Sequence, residues 1–253
     1  PFGTLSGGFR VTPPASRLWT LRKLESWCLG QAAATLFTSR TTLHAYARAH
    51  PAVASRMSLI FNGADPLDFQ KPLERLEGLT ITHVGTIHDY QSQQVEALLG
   101  AFASARAQGQ ISRQARLALV GPIGGVLRAR RAGMLDELGV GASVAVLGTA
   151  SHEEAIAWMR RSHLLLLFAG NNRFIRLSKM SEYLASGRPV LAFARADSET
   201  GQEARAHGWS LVAENAPELV REALVHAVSG SLRDSEPMPL THPHPLNRQT
   251  EAE

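Results

Sequence analysis

The sequence predicts an α/β fold: a parallel sheet flanked by helices. Three observations carry that expectation. From Leu79 onward, short apolar runs alternate with helix-length amphipathic segments, the pattern of successive right-handed βαβ units. Three apolar runs end in glycine, at positions 85, 121 and 148, where a backbone without Cβ can turn tightly or admit a close neighbour. The stretch Ser178 to Phe193, SKMSEYLASGRPVLAF, reads as helix, tight turn and strand. In it, Gly187 suits the left-handed residue just past a helix end, and Pro189 stops the helix.

The elements follow in order. Pro1 to Pro14 is rich in Gly, Pro and Thr and reads as loop. Ala15 to Gly30 has helical spacing, with Leu18, Leu21, Leu24 and Cys28 expected on one buried stripe. Ala33 to Thr38 is expected as a short buried strand, Arg40 to His50 as a helix stopped by Pro51, and Met57 to Phe61 as a strand. Asn62 to Pro66 is a concentrated turn signal, and Asp68 to Leu76 reads as a connection between domains or a surface loop. The alternation then runs strand 79–84, helix 92–108, strand 115–120, helix 126–138, strand 143–147 and helix 151–161. Ser151 and Glu154 have the spacing of a capping box at the last of these. The run 163–168 is a buried strand, followed by the polar loop GNNRFIRL and the 178–193 unit. A helix 199–207, a short strand 210–212 and a helix 217–228 complete the pattern. The segment 231–253, with prolines at 237, 239, 243 and 245, reads as an extended tail.

Composition bounds the function. The chain has 253 residues, 44% hydrophobic and 19% charged, enough for one large domain or two small ones. A net charge of +4 is a mild excess that suits anionic ligands, and no Lys/Arg block marks a nucleic-acid arm. The clusters Arg128, Arg130, Arg131 and Arg160, Arg161 read as solvated helix faces, with a peripheral contact to an anionic membrane as the alternative. Cys28 is the only cysteine, so an intrachain disulfide is excluded; it is expected as a core thiol in a cytoplasmic protein. No signal-peptide pattern and no bilayer-length apolar run is visible, and both ends look cut. His242 and His244 flank Pro243, a poor metal site without further ligands, and no metal is expected.

The residues point to one place for chemistry. In open α/β sheets, ligands sit beyond the carboxyl ends of the strands, where helix N-termini offer free N–H groups to anions. Lys179, in a first turn, opposes the helix dipole by about 0.3–1 kcal/mol, and a bound anion would reverse that sign. Glu182 lies one position beyond the capping-box spacing from Ser178, which leaves it to accept hydroxyl hydrogens. An anion beside adjacent hydroxyls describes a nucleoside diphosphate with its ribose. A solvated Lys179 beside a dipole-complementing Glu182 is the alternative. Neither G-x-G-x-x-G nor a Walker A pattern occurs, which argues against a dinucleotide dehydrogenase or a P-loop enzyme.

With those residues in hand, the chain resembles bacterial glycosyltransferases of the GT-B fold, family four-like. The stretches that carry the resemblance are 37–65, 83–102, 144–168 and 176–208. It implies a Rossmann-like C-terminal domain over 63–230, a remnant of the N-terminal, acceptor-side domain over 1–62, and a Pro-rich tail over 231–253 leading to a truncated closing helix. It implies transfer of a hexose from a nucleoside-diphosphate sugar to an acceptor sugar or lipid-linked glycan in surface-polysaccharide or glycolipid assembly. It also implies a retaining outcome, a location in the cytoplasm or at the inner membrane face, and no activity for this fragment alone. The donor is a substrate; no cofactor is implied.

By that comparison, Glu182 holds the ribose hydroxyls, Ser178 and Lys179 meet the diphosphate, Gly85 and Thr86 lie near the phosphates, and Leu147 to Ala150, with Gly148 and Thr149, lie beside the base. Two departures stand out. Phe174 takes the place of the first carboxylate of a Glu-x7-Glu pair. Thr86 stands where many members carry Arg, and no Lys or Arg follows before Gln94. Phosphate charge then rests on Lys179, Arg173 or Arg176. His88 lies in the loop after Gly85 and is an acid/base candidate, whereas His152 and His163 read as exposed and structural. A nucleotide-sugar epimerase and a non-catalytic module of a synthase complex are the alternatives.

Overall fold

The structure is a computed structural model that describes residues 15–70 and 72–231. The expected loop 1–14 and all of the tail after Ser231 lie outside the described residues.

The chain begins with helix α1 (Ala15–Gln31), strand β1 (Thr35–Phe37), helix α2 (Arg40–Ala49) and strand β2 (Met57–Leu59). β1 and β2 pair in parallel as a two-stranded sheet. The expected apolar stripe of α1 is not a core face. Leu24 is 54% exposed and Cys28 is exposed, as are Trp19 and Trp27. Glu25 and Leu29 are the residues of α1 that turn inward. β1 departs from expectation too, with Leu36 at 60% exposure. Helical spacing sets which side chains share a face, but burial needs an element packed on it, and no helix or strand among the described residues packs extensively on α1.

The second sheet fills the rest. Its strands are β3 (Thr80–Val84), β4 (Arg116–Val120), β5 (Val144–Gly148), β6 (Leu164–Gly170), β7 (Val190–Ala194) and β8 (Ser210–Val212). Between them run α3 (Ser92–Ala107), α4 (Gly125–Glu137), α5 (His152–Arg161), α6 (Lys179–Ala185) and α7 (Glu199–Ala206), and α8 (Pro217–Ser231) follows β8. All pairings are parallel, in the order β5-β4-β3-β6-β7-β8. β3, β6 and β7 are buried at every position, as strands with helices on both faces must be. On one face Ile81, Leu166, Phe168 and Phe193 pack with Val95, Leu98 and Phe102 of α3 and Leu224 of α8. On the other, Val84, Leu165 and Leu167 pack with Ile156 and Met159 of α5 and Met180 and Tyr183 of α6.

The capping box at α5 forms as the spacing predicts: the Ser151 hydroxyl accepts from the Glu154 amide at 3.2 Å and the Ser151 amide donates to Glu154 at 2.8 Å. The chain winds from β3 outward to β5, returns to β6 and winds the other way to β8. The switch in direction therefore falls between β3 and β6.

Candidate functional site

At this switch the sheet opens. β3 and β4 pair over five residues, but β3 and β6 pair only at Ile81–Leu164 and Thr82–Leu165. Beyond Thr82 the strands splay, and side chains take over their hydrogen bonds. The Tyr183 hydroxyl, from α6, accepts from the Val84 amide at 2.9 Å and lies 3.2 Å from the Leu166 carbonyl. The His83 imidazole uses Nδ1 on the same carbonyl at 2.9 Å and packs on the Phe168 ring. Its Nε2 is buried without a hydrogen-bond partner. Burial pushes the His83 pKa down to about 4 against the upward pull of the Leu166 and Gly85 backbone, and the positive charge of Lys179 adds a smaller downward push. The ring is neutral at pH 7, so Nδ1 carries the proton given to Leu166.

The rim above this gap is built from glycines. Gly85, Gly121 and Gly148 all take positive φ. A Cβ on Gly121 would stand 2.2 Å from the Gly85 carbonyl oxygen, so Gly121 admits the Gly85 backbone, whereas a Cβ on Gly85 would face the His83 ring at 3.5 Å. Gly148 differs, since a Cβ there would meet open space. The Gly85 amide donates to Val120 at 2.8 Å and the Ile87 amide to Pro122 at 2.9 Å, which stitches the first two rim loops together. Thr86 and Thr149 are exposed on these loops.

Across the gap stands α6. Lys179 and Glu182 form an i,i+3 pair, Nζ to Oε2 2.5 Å, with side chains 33% and 12% exposed. Glu182 answers the cation that the helix dipole disfavours. Ser178 is exposed and makes no side-chain cap. Arg176 is not presented to the crevice. Its side chain is 1% exposed, paired with Glu203 at 2.9 Å, hydrogen-bonded to Ser181 and the Asn62 carbonyl, and stacked on the Phe61 ring. A buried guanidinium needs such partners, and having them it fixes the loop before α6 to the Asn62 turn. Arg173 pairs with Asp197 at 3.0 Å on the surface. Of the three cations named for phosphate, Lys179 stands at the amino end of α6.

The segment after β3 uses its polar residues differently from what a phosphate clamp would need. Gln91 donates to the Phe168 carbonyl at 2.5 Å and accepts from the His88 amide at 2.7 Å. Gln94 accepts from the Gly170 amide at 3.0 Å and donates to the Phe193 carbonyl at 3.3 Å. Both glutamines are buried and tie this loop to the carboxyl ends of β6 and β7. Sequence reading found neither; two glutamines at a helix start carry no signal without the sheet beside them. It also missed Glu199, whose carboxylate accepts from the Ser39 hydroxyl at 2.6 Å and the Arg40 and Thr41 amides at 2.8 and 2.9 Å. That carboxylate caps α2 and joins the first four elements to the large sheet.

Of the histidines, His88 is exposed and stacked on Tyr90. His152 pairs with Asp68 at 2.8 Å, and His163 accepts from the Thr80 amide at 3.3 Å. Arg128 and Arg161 donate to backbone carbonyls and Arg130 pairs with Glu96. A separate concavity of about 370 Å³, lined by Arg188, His207, Trp209 and His226, lies where β7 and β8 begin, at the opposite edge of the sheet. The chemistry described above gathers at the other edge. Among the described residues no helix is long and apolar enough to cross a membrane, and no cluster of three metal-ligating side chains occurs.

Known proteins share this fold. HepE of Anabaena, solved with UDP and glucose, superposes with a TM-score of 0.62 at 19% identity, over 85% of this chain and 58% of that one. Sucrose-phosphate synthase of Thermosynechococcus elongatus gives 0.61 at 18%, over 91% and 58%. WaaG, a glycosyltransferase involved in lipopolysaccharide biosynthesis, gives 0.58 at 16%, over 87% and 64%. At such identities the likeness is one of fold, and the chain spans less than two thirds of each of these proteins. No curated protein matches the sequence significantly. Residues 78–230, more than half of the chain, match the family described as glycosyl transferases group 1, and the chain belongs to that family.

Proposed function

We propose that the chain carries the nucleotide-sugar site of a glycosyltransferase that moves a hexose from a nucleoside diphosphate to an acceptor hydroxyl in surface-polysaccharide or glycolipid assembly. The observation that carries this reading is the Lys179–Glu182 pair facing the gap between β3 and β6, in a family of glycosyltransferases. The two groups neutralise each other in the free protein. A diphosphate takes the ammonium of Lys179, and the ribose hydroxyls take the carboxylate of Glu182. Ser178 and the backbone at Gly85 and Thr86 flank the phosphates, and Gly148 and Thr149 border the base, where open space above Gly148 gives the ligand room. Arg176 serves by holding the loop that leads into α6.

The protein's chemical contribution is then electrostatic: Lys179 and backbone N–H groups stabilise the leaving diphosphate as charge develops on it. With a retaining outcome, a diphosphate oxygen assists removal of the acceptor proton. The proposal invokes no metal. Complexes of HepE with UDP and UDP-glucose, and the lipopolysaccharide role of WaaG, support the donor and acceptor classes.

A thermal-shift screen against UDP-, GDP-, ADP- and TDP-linked sugars tests the reading, because a ligand that binds only the folded state raises its melting temperature. A non-catalytic donor-binding module is the second reading. Thr86 and Phe174 favour it, standing where many members place charge. Donor binding without turnover, on addition of lipid-linked acceptors to the full-length protein, distinguishes it.

A further inference from the structure

We propose that His88 and Tyr90 form an aromatic platform for a pyranose ring at the mouth of the crevice; this rests on the donor-site reading and names a subsite of it. Their rings stack almost parallel, 9° apart with centroids at 5.4 Å. Tyr90 is 44% exposed and His88 is exposed, so the stack presents ring surface to solvent.

Its place is the switch point. The pair sits on the loop between β3 and α3, and the Tyr90 ring reaches across to β6. There it lies so close to Gly170 that a Cβ at that position would stand 2.8 Å from the ring. Gly170 leads directly into the loop that ends at α6, so the stack shares its rim with Lys179 and Glu182.

The platform is rigid. The His88 amide donates to Gln91, which in turn donates to the Phe168 carbonyl. Asp89 Oδ1 accepts from the Val126 amide at 3.0 Å, and the Gly124 amide donates to Ile87 at 2.7 Å. One hydrogen bond within the loop and three to β6 and to the loop and helix after β4 hold the backbone that carries the two exposed rings. Such preorganised rings give contact area at little cost in side-chain entropy.

The chemistry selects a neutral ring. No Lys or Arg lies between Gly85 and Gln94, and Asp89 adds a negative charge, so the side chains of the His88–Tyr90 turn offer no cation to a phosphate. Flat apolar faces with a hydroxyl and ring nitrogens at their edges match a sugar, whose C–H face packs on an aromatic ring while its hydroxyls meet polar edges. The ring comes either from the donor or from the acceptor.

Calorimetry separates these sources. The native chain, Tyr90→Ala, Tyr90→Phe and His88→Phe are titrated with UDP, GDP, ADP and TDP, with their glucose conjugates, and separately with methyl glucoside, methyl galactoside and methyl mannoside without nucleotide. A donor platform predicts that Tyr90→Ala weakens the nucleotide-sugar about fivefold to tenfold and the bare diphosphate less than about twofold, while the two Phe variants stay near native. An acceptor platform predicts the same loss for a methyl glycoside alone. Equal losses for diphosphate and nucleotide-sugar would assign the stack to the base and overturn the proposal. So would native affinity of Tyr90→Ala for every sugar ligand that binds the native chain. If no diphosphate binds the native chain, the donor reading fails by itself, and the glycoside titrations still decide whether the platform holds a sugar.

Discussion

The Tyr183 hydroxyl lies 2.9 Å from the Val84 amide and 3.2 Å from the Leu166 carbonyl, spanning the two strands where their own ladder has stopped. One phenol thus bridges the gap beside the candidate site. Tyr183→Phe leaves the Val84 amide buried without a partner, and the expected loss is about 1–3 kcal/mol. Urea denaturation of the variant against the native chain measures it; equal midpoints would mean that the bridge adds nothing.

His83 makes stability depend on pH. Its folded pKa is depressed from 6.5 to about 4, so between these values the unfolded chain binds a proton that the folded chain refuses. This contribution to stability is present above about pH 6.5 and is lost as pH falls toward 4, by at most about 3 kcal/mol. His83→Phe, which keeps the stacking on Phe168, should flatten the slope of unfolding free energy over that window. An unchanged slope would contradict a buried neutral imidazole.

Two rim glycines should respond differently to alanine. Gly121 combines a φ of +132° with a Cβ position 2.2 Å from the Gly85 carbonyl oxygen. Gly148 has a φ of +70° and open space around it. Gly148→Ala should cost about 1 kcal/mol, for the left-handed backbone alone, and Gly121→Ala more than about 3 kcal/mol. Similar melting temperatures for the two variants would show that the contact between the first two rim loops is not tight.

Glu199 joins the two sheets by capping α2 across a sequence separation of about 160 residues. Glu199→Ala removes the acceptor for the Ser39 hydroxyl and the Arg40 and Thr41 amides and should destabilise the chain by about 2–4 kcal/mol. Hydrogen exchange at Arg40 and Thr41 should rise with it. Native protection of those amides in the variant would place the junction elsewhere.

The large sheet was legible in the sequence because its signals are local. Apolar runs of strand length, the Ser151–Glu154 box and the Gly187–Pro189 stop each specify structure within a few residues. The departures lie in the faces of α1 and β1, while α2 and β2 form where the sequence places a helix and a strand. Helical spacing marks Leu24 and Cys28 as a stripe, but burial depends on what packs there, and no helix or strand among the described residues packs extensively on α1. The candidate site is legible only where its residues are close in sequence. Lys179 and Glu182 are three residues apart and were read from spacing and the helix dipole. Arg176 was read as a loop cation because Glu203, Ser181 and Asn62, which bury it, are distant in sequence or, in a linear reading, unrelated to it. Gln91, Gln94 and Glu199 were invisible for the same reason: their partners are backbone groups of other elements.

The central claim, that the pair on the first turn of α6 receives a nucleoside diphosphate and its ribose, is tested most directly by calorimetry on Glu182→Ala. The native chain should bind at least one of the four nucleotide-sugars, and the variant should bind it more than about tenfold more weakly, a loss of about 1.4 kcal/mol. Unchanged affinity in the variant would contradict the assignment.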